Sequence, residues 1–149
     1  MTDSPRVHRL AIPIRFGVAD PVGIAYYPRY FDWFHQAMET WFSEGLGISY
    51  AEFLKKTGFP TIETNCKYRR PCRLGETVTV ELRVGELGRS SMLLNYRVVG
   101  PEGELRAEAW NRVVLMDTNP SSPGYFRPLS IPDDLRAKMA PFLEGPPSP

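Results

Sequence analysis

Cysteine and histidine are scarce in this sequence: Cys66, Cys72, His8 and His35 are the only ones in 149 residues. Four such side chains, scattered along the chain, offer no metal-ligand spacing, so no metal and no other cofactor is expected. Charge of one sign is equally lacking. Lys and Arg number 18 against 17 Asp and Glu, a net charge of +1, which argues against a nucleic-acid or membrane-surface partner. No apolar run approaches the ~20 residues of a membrane span, and the opening MTDSPRVHRLAIPIRF has no apolar core of a signal peptide. A cytoplasmic protein with reduced thiols is therefore expected. What remains is the composition of a globular domain, long enough to bury about two thirds of its unfolded surface.

Periodicity places the elements. Val7 to Phe16 reads as a strand with Leu10, Ile12 and Ile14 on one face, and Pro13 marks an edge or a bulge. Gly17 to Tyr27 reads as a loop. Tyr30, Phe31, Phe34, Ala37, Met38, Trp41 and Phe42 then form one face of a long helix, with Pro28 in its first turn and Gly45 as a left-handed stop. Ser49 and Glu52 make a capping box for a short second helix ending near Gly58. Beyond it the period changes to two. Strands are expected at Thr61 to Tyr68, Glu76 to Val84, Ser91 to Val99 and Glu104 to Met116, joined as a meander. The pattern is α+β, a five-stranded antiparallel sheet curled around one helix. Residues 1–131 form this domain, and 132–149 a proline-rich tail with a short helix at Asp133 to Met139.

The run Arg15-Phe-Gly-Val-Ala-Asp20-Pro-Val-Gly23-Ile-Ala-Tyr-Tyr27-Pro28-Arg-Tyr30, ahead of a Phe- and Trp-rich helix, resembles the signature of the 4-hydroxybenzoyl-CoA thioesterase branch of hotdog-fold proteins. That branch also takes in short-chain and Tol-Pal-associated acyl-CoA thioesterases. The resemblance extends through element order to about Ile131. It implies hydrolysis of an aromatic or short-chain acyl-CoA, a homodimer with two composite sites, and commonly a dimer of dimers.

A thioester carbonyl needs an attacking group on one side and hydrogen-bond donors where the oxyanion grows. Asp20 sits in a loop that leads to a helix amino terminus, and by the resemblance the oxyanion donor is the backbone N–H of Tyr27, with Gly23 allowing close approach of the acyl group. Asp20 either attacks directly or deprotonates a water. An Asp-Pro dipeptide is also a common turn cap, which is the plainer account of the same residue. His35 stands where the hydroxybenzoyl enzymes carry an acid, either lining the far end of the acyl pocket or lying on the polar side with Gln36 and Glu39.

Arg89 and Ser90 open a strand whose basic residues contact the nucleotide in the family, and they are the candidates for coenzyme A. Lys67, Arg69, Arg70 and Arg73 read mainly as a charged strand edge. Thr61 and Asn65, on the more polar face of their strand, are candidate contributors to a neighbour's pocket. No G-x-S-x-G elbow and no dinucleotide fingerprint is present. The alternative to an enzyme is a non-catalytic hotdog module that binds acyl-CoA or a protein partner.

Overall fold

The structure is a computed structural model that describes residues 4–147; the first three residues of the expected domain and the last two of the expected tail lie outside the described residues. Strand β1 covers His8–Pro13, Ile14 still bonds to Glu76 and Gly75, and Phe16–Val18 then coil into one 3-10 turn that ends the extended run before Phe16. Helix α1 spans Arg29–Thr40 with Pro28 as its cap, and it buries Tyr30, Trp33, Phe34, Ala37 and Met38. It runs on through a single π turn, Trp41–Gly45.

Gly45 is not the expected left-handed stop. The positive φ falls at Gly47, 70°. Gly45 is required by packing instead, since a Cβ there would lie 2.6 Å from Trp41 Cδ1. Helix α2, Tyr50–Phe53, begins at Ser49, whose Oγ accepts from the Glu52 N–H at 3.3 Å, while the Glu52 carboxylate pairs with Lys55. Among the described residues only that half of the capping box forms.

Strands β3 (Thr61–Tyr68), β4 (Thr77–Leu87), β5 (Ser91–Val99) and β6 (Leu105–Val114) join β1 in one antiparallel sheet, ordered β1-β4-β5-β6-β3. Two residues, Thr57–Gly58 (β2), form a ribbon with Met116–Asp117 (β7). The expected four-strand meander is therefore half right. β4, β5 and β6 follow it, but β3 crosses to the far edge and pairs with β6. Its polar sequence suits that place, for nearly all of β3 is exposed, whereas β4 and β5 turn Val78, Val80, Leu82, Leu94 and Tyr96 onto the helix.

The sheet curls around α1, as the hotdog fold requires, with a bulge at Gly85 that leaves room for Asn95. Helix α3, Asp133–Met139, buries Leu135 and Met139, and Phe142 lies edge-on to Trp41 at 5.5 Å, so packing is continuous past Ile131. Among the described residues no helix is long and apolar enough to cross a membrane.

Candidate active site

Asp20-Pro21-Val22-Gly23 closes a β-turn, the Gly23 N–H donating to the Asp20 carbonyl at 3.0 Å. Asp first, proline second and glycine fourth is the composition such a turn favours. The Ala19–Ala25 bridge brings the two arms of this small hairpin together, and Gly23 carries φ 84°, a value that glycine takes at little cost.

Asp20 performs the capping role and keeps something in reserve. Its Oδ1 accepts from the Val22 N–H at 2.9 Å, and among the described residues its other oxygen has no protein donor. One oxygen anchors the carboxylate and the other is presented, half-buried, to whatever enters.

Tyr27 closes the same loop, just ahead of the Pro28 cap of α1. Its carbonyl accepts from the Tyr68 hydroxyl at 3.2 Å and from the Tyr30 N–H at 3.3 Å. Its own N–H has no acceptor among the described residues. The Tyr26 carbonyl, in the same peptide unit as that N–H, accepts from the Arg29 N–H at 2.9 Å, and a peptide held in this way with a free N–H at the positive end of a helix is a ready oxyanion donor.

The hairpin is tied to the segment before β4. Ala25 N–H donates to Cys72 O at 2.7 Å, Leu74 N–H to Gly23 O at 2.9 Å, and Gly75 N–H to Ile14 O at 2.9 Å. That segment is itself clamped by Arg106, 7 % exposed, whose guanidinium grips both Glu76 oxygens (2.9 and 2.7 Å) and the Pro71 carbonyl (2.7 Å). The Arg106 hydrogen bond holds the Glu76 carboxyl down at about 2. Neither the Tyr68 contact nor the Arg106 clamp is visible in the sequence, since both depend on β3 and β6 meeting the loop.

Asp20, Gly23 and Tyr27 thus come together. A cavity of about 240 Å³ is lined by Tyr27, Tyr30 and Tyr68 and, from the hairpin, by Ile24 and Ala25; neither Asp20 nor Gly23 is part of its wall. A second cavity of about 350 Å³ lies further along α1, bounded by Phe31 and His35 on the helix and by Thr61 and Thr64 on β3. Thr61 and His35 therefore meet. The His35 ring also reaches Glu39, Nε2 to Oε1 2.9 Å, and its side chain is 54% exposed.

Asn65 does not join Thr61. A bulge between Thr61 and Glu63 breaks the strict alternation, leaving Thr61 on the helix side while Asn65 faces the outer side of the sheet with Asn95 and Arg97. Arg89 and Ser90 lie in the β4–β5 turn. Arg89 is exposed and donates through Nε to Ser130 Oγ at 2.9 Å; the Ser90 carbonyl accepts from Leu115 N–H at 2.7 Å. This turn is at the opposite end of β5 from the Asp20 hairpin, eight residue steps or roughly 27 Å away within one chain.

Comparison with known proteins agrees with this geometry. A family model described as the thioesterase-like superfamily matches residues 14–139. YneP of Bacillus subtilis (strain 168), whose name describes it as a candidate acyl-CoA thioesterase, is 27% identical over 122 residues, 81% of this chain and 88% of that protein. A 1,4-dihydroxy-2-naphthoyl-CoA hydrolase of Synechococcus elongatus is 31% identical over 88 residues, 57% of this chain and 64% of that one. Among solved structures, the gentisyl-coenzyme A thioesterase BH1999 superposes with a TM-score of 0.76 at 25% identity, covering 90% of this chain and 99% of the other. By that match, and by a five-stranded sheet curled around one long helix, the chain belongs to the thioesterase-like superfamily.

Proposed function

We propose that this chain hydrolyses the thioester of an aromatic or short-chain acyl-CoA, with Asp20 as the reacting carboxylate and the Tyr27 N–H as the oxyanion donor. The observation that carries the reading is the pairing, on one tethered hairpin, of a carboxylate with one oxygen unengaged and a backbone N–H with no acceptor. The relatives' names support the same chemistry: gentisyl-CoA for one, 1,4-dihydroxy-2-naphthoyl-CoA for another.

The thioester carbonyl oxygen sits at the Tyr27 N–H, which stabilises the charge as the carbon becomes tetrahedral. Asp20 either adds to that carbon, giving a mixed anhydride that water opens, or takes a proton from the water that adds. The thiolate of coenzyme A leaves in both routes. Label found in Asp20 after a single turnover in H₂¹⁸O establishes direct attack with the anhydride opened at the Asp20 carbon, whereas label in the acid alone fits base catalysis or opening at the acyl carbon; trapping of an acylated Asp20 separates those two.

A pair of chains completes the site. β3 is an exposed edge, with Ile62 62% accessible. If two copies pair β3 antiparallel, the Tyr68 end of one lies beside the Thr61 end of the other, and the partner's Arg89 turn approaches the first chain's Asp20 hairpin. Arg89 and Ser90 then hold the nucleotide of coenzyme A, which they cannot do within one chain. A homodimer, paired again into a tetramer, in the cytoplasm is the assembly this reading requires.

Thiol release from a panel of acyl-CoAs, followed with Ellman's reagent, tests the activity. Hydrolysis of aromatic or short acyl groups that falls about 10²-fold or more in Asp20→Asn is the expected result. No release from any member of the panel would overturn it.

A further inference from the structure

The second cavity contains an unexplained polar group. Tyr96 lies on β5 with its ring stacked on Phe34 at 4.8 Å, and the residue is 1% exposed. Its hydroxyl makes no hydrogen bond of ordinary length and angle among the described residues, although the Asn111 side chain lies close enough to favour the ionised phenol. An unpaired buried hydroxyl costs stability, and replacing it with hydrogen would remove that cost without changing the shape of the ring. Packing therefore does not account for it.

The surroundings point to a ligand. Beside Tyr96 stands Asn111 on β6, whose side-chain amide pairs with the Thr64 hydroxyl. The single Thr64 proton has a second acceptor in the Trp110 carbonyl at 3.3 Å, so the amide can turn either its NH₂ or its oxygen to the cavity. Phe31, Met38, Phe59, Leu94 and Val113 supply the apolar wall, and His35, Tyr50 and Thr61 stand among them. Burial pushes the Tyr96 phenol well above its ordinary range, so it keeps its proton and can donate. A phenol O–H beside a side-chain amide in one cavity is the complement of one ligand oxygen.

Position supplies the register. Phe31 and His35 lie one turn apart on α1, three and seven residues beyond its Pro28 cap, so the cavity lies about 5 to 10 Å along the helix from the end at which Tyr27 presents its N–H. An acyl group whose carbonyl is held at Tyr27 extends into it. We infer that Tyr96 and Asn111 are specificity-determining residues that hydrogen-bond an oxygen, hydroxyl or keto, at the far end of a flat acyl group. The inference rests on the thioester-hydrolase reading for the anchoring of the substrate, and it assigns the acyl preference to these two residues rather than to His35.

The test uses two pairs of substrates that differ by one oxygen: benzoyl-CoA with 4-hydroxybenzoyl-CoA, and phenylacetyl-CoA with 4-hydroxyphenylacetyl-CoA. A site built to bind a hydroxyl discriminates strongly against the analogue that lacks it. The wild-type chain should prefer the hydroxylated member of at least one pair by about tenfold or more in kcat/KM. Tyr96→Phe should bring that ratio close to one, and Asn111→Leu should do the same.

Binding of the inert thioethers phenacyl-CoA and 4-hydroxyphenacyl-CoA, measured by calorimetry, separates this inference from the reading beneath it. Tyr96-dependent preference for the hydroxylated thioether with no hydrolysis of any thioester upholds the pocket and overturns the hydrolase. Hydrolysis with no preference, or with a preference that survives in Tyr96→Phe, overturns the pocket and leaves the hydrolase standing.

Discussion

Asp20 has two oxygens with different duties, and the difference can be measured. Asn at this position keeps an oxygen to accept from the Val22 N–H and so keeps the turn; Ala removes the acceptor as well as the charge. Asp20→Asn should unfold within about 0.5 kcal/mol of wild type while losing hydrolysis, and Asp20→Ala should cost about 1 kcal/mol more, both read from urea midpoints. Tyr96→Phe should move the other way. Removing a buried hydroxyl that makes no ordinary hydrogen bond raises Tm by about 3 °C in the ligand-free protein, a gain in stability at the expense of selection among substrates. These residues were not equally legible. Asp20, Gly23 and Tyr27 lie within one short stretch, so a linear motif carries them to the same hairpin. Tyr96 looks like any inward strand residue until β6 and α1 close around it. Thr61 and Asn65 share a face in a regular strand, and one bulge separates them.

At the scale of elements, the loop between β3 and β4 decides how well the hairpin is held. Arg106 reaches from β6 to Glu76 and Pro71, and four backbone hydrogen bonds join that segment to Ile14 (two), Gly23 and Ala25. Glu76 acts through this chain and touches no substrate, so it is a positioning residue. Glu76→Gln leaves the Arg106 guanidinium one carboxylate, Glu104, which accepts from its Nε at 3.0 Å, and should cost about 1 kcal/mol of stability. It should lower kcat several-fold with KM nearly unchanged, and Glu76→Asp should restore part of the loss. The pH dependence has a definite sign. The folded carboxyl titrates at about 2, below the roughly 4.3 of an unfolded chain, so the pair contributes fully above that higher value and its contribution drains away as pH falls toward 2. Urea midpoints between pH 6 and pH 3 should fall more steeply in wild type than in Glu76→Gln. Helix α1 was legible because its apolar period is local and strong. The β3 crossover was not, since alternation reports which residues share a face and says nothing of which strand lies alongside.

For the whole molecule the question is what covers the outer edge of β3. Along the eight residues of β3 alternate ones turn their backbone donors and acceptors away from β6, and this edge, carrying Ile62 exposed beside Glu63 and Lys67, would invite indiscriminate pairing unless one defined partner took the place. An identical strand is the natural candidate, because a two-fold axis through the edge pairs the two strands antiparallel and satisfies both. It also resolves the distance between Arg89 and Asp20, which no rotamer change can bridge within one chain. The consequence is that assembly and catalysis fail together. Light scattering should give a mass of at least 34 kDa, twice the 16.9 kDa of the chain. Ile62→Asp places a carboxylate on each side of the two-fold axis and should shift the population toward the single-chain mass. Its specific activity should rise again with protein concentration as the pair re-forms, whereas Asp20→Asn stays inactive at every concentration. Ile62→Asp that runs as a single chain and hydrolyses acyl-CoA at the wild-type rate would show that each site is complete in one protomer, and Arg89 would then have no part in binding coenzyme A.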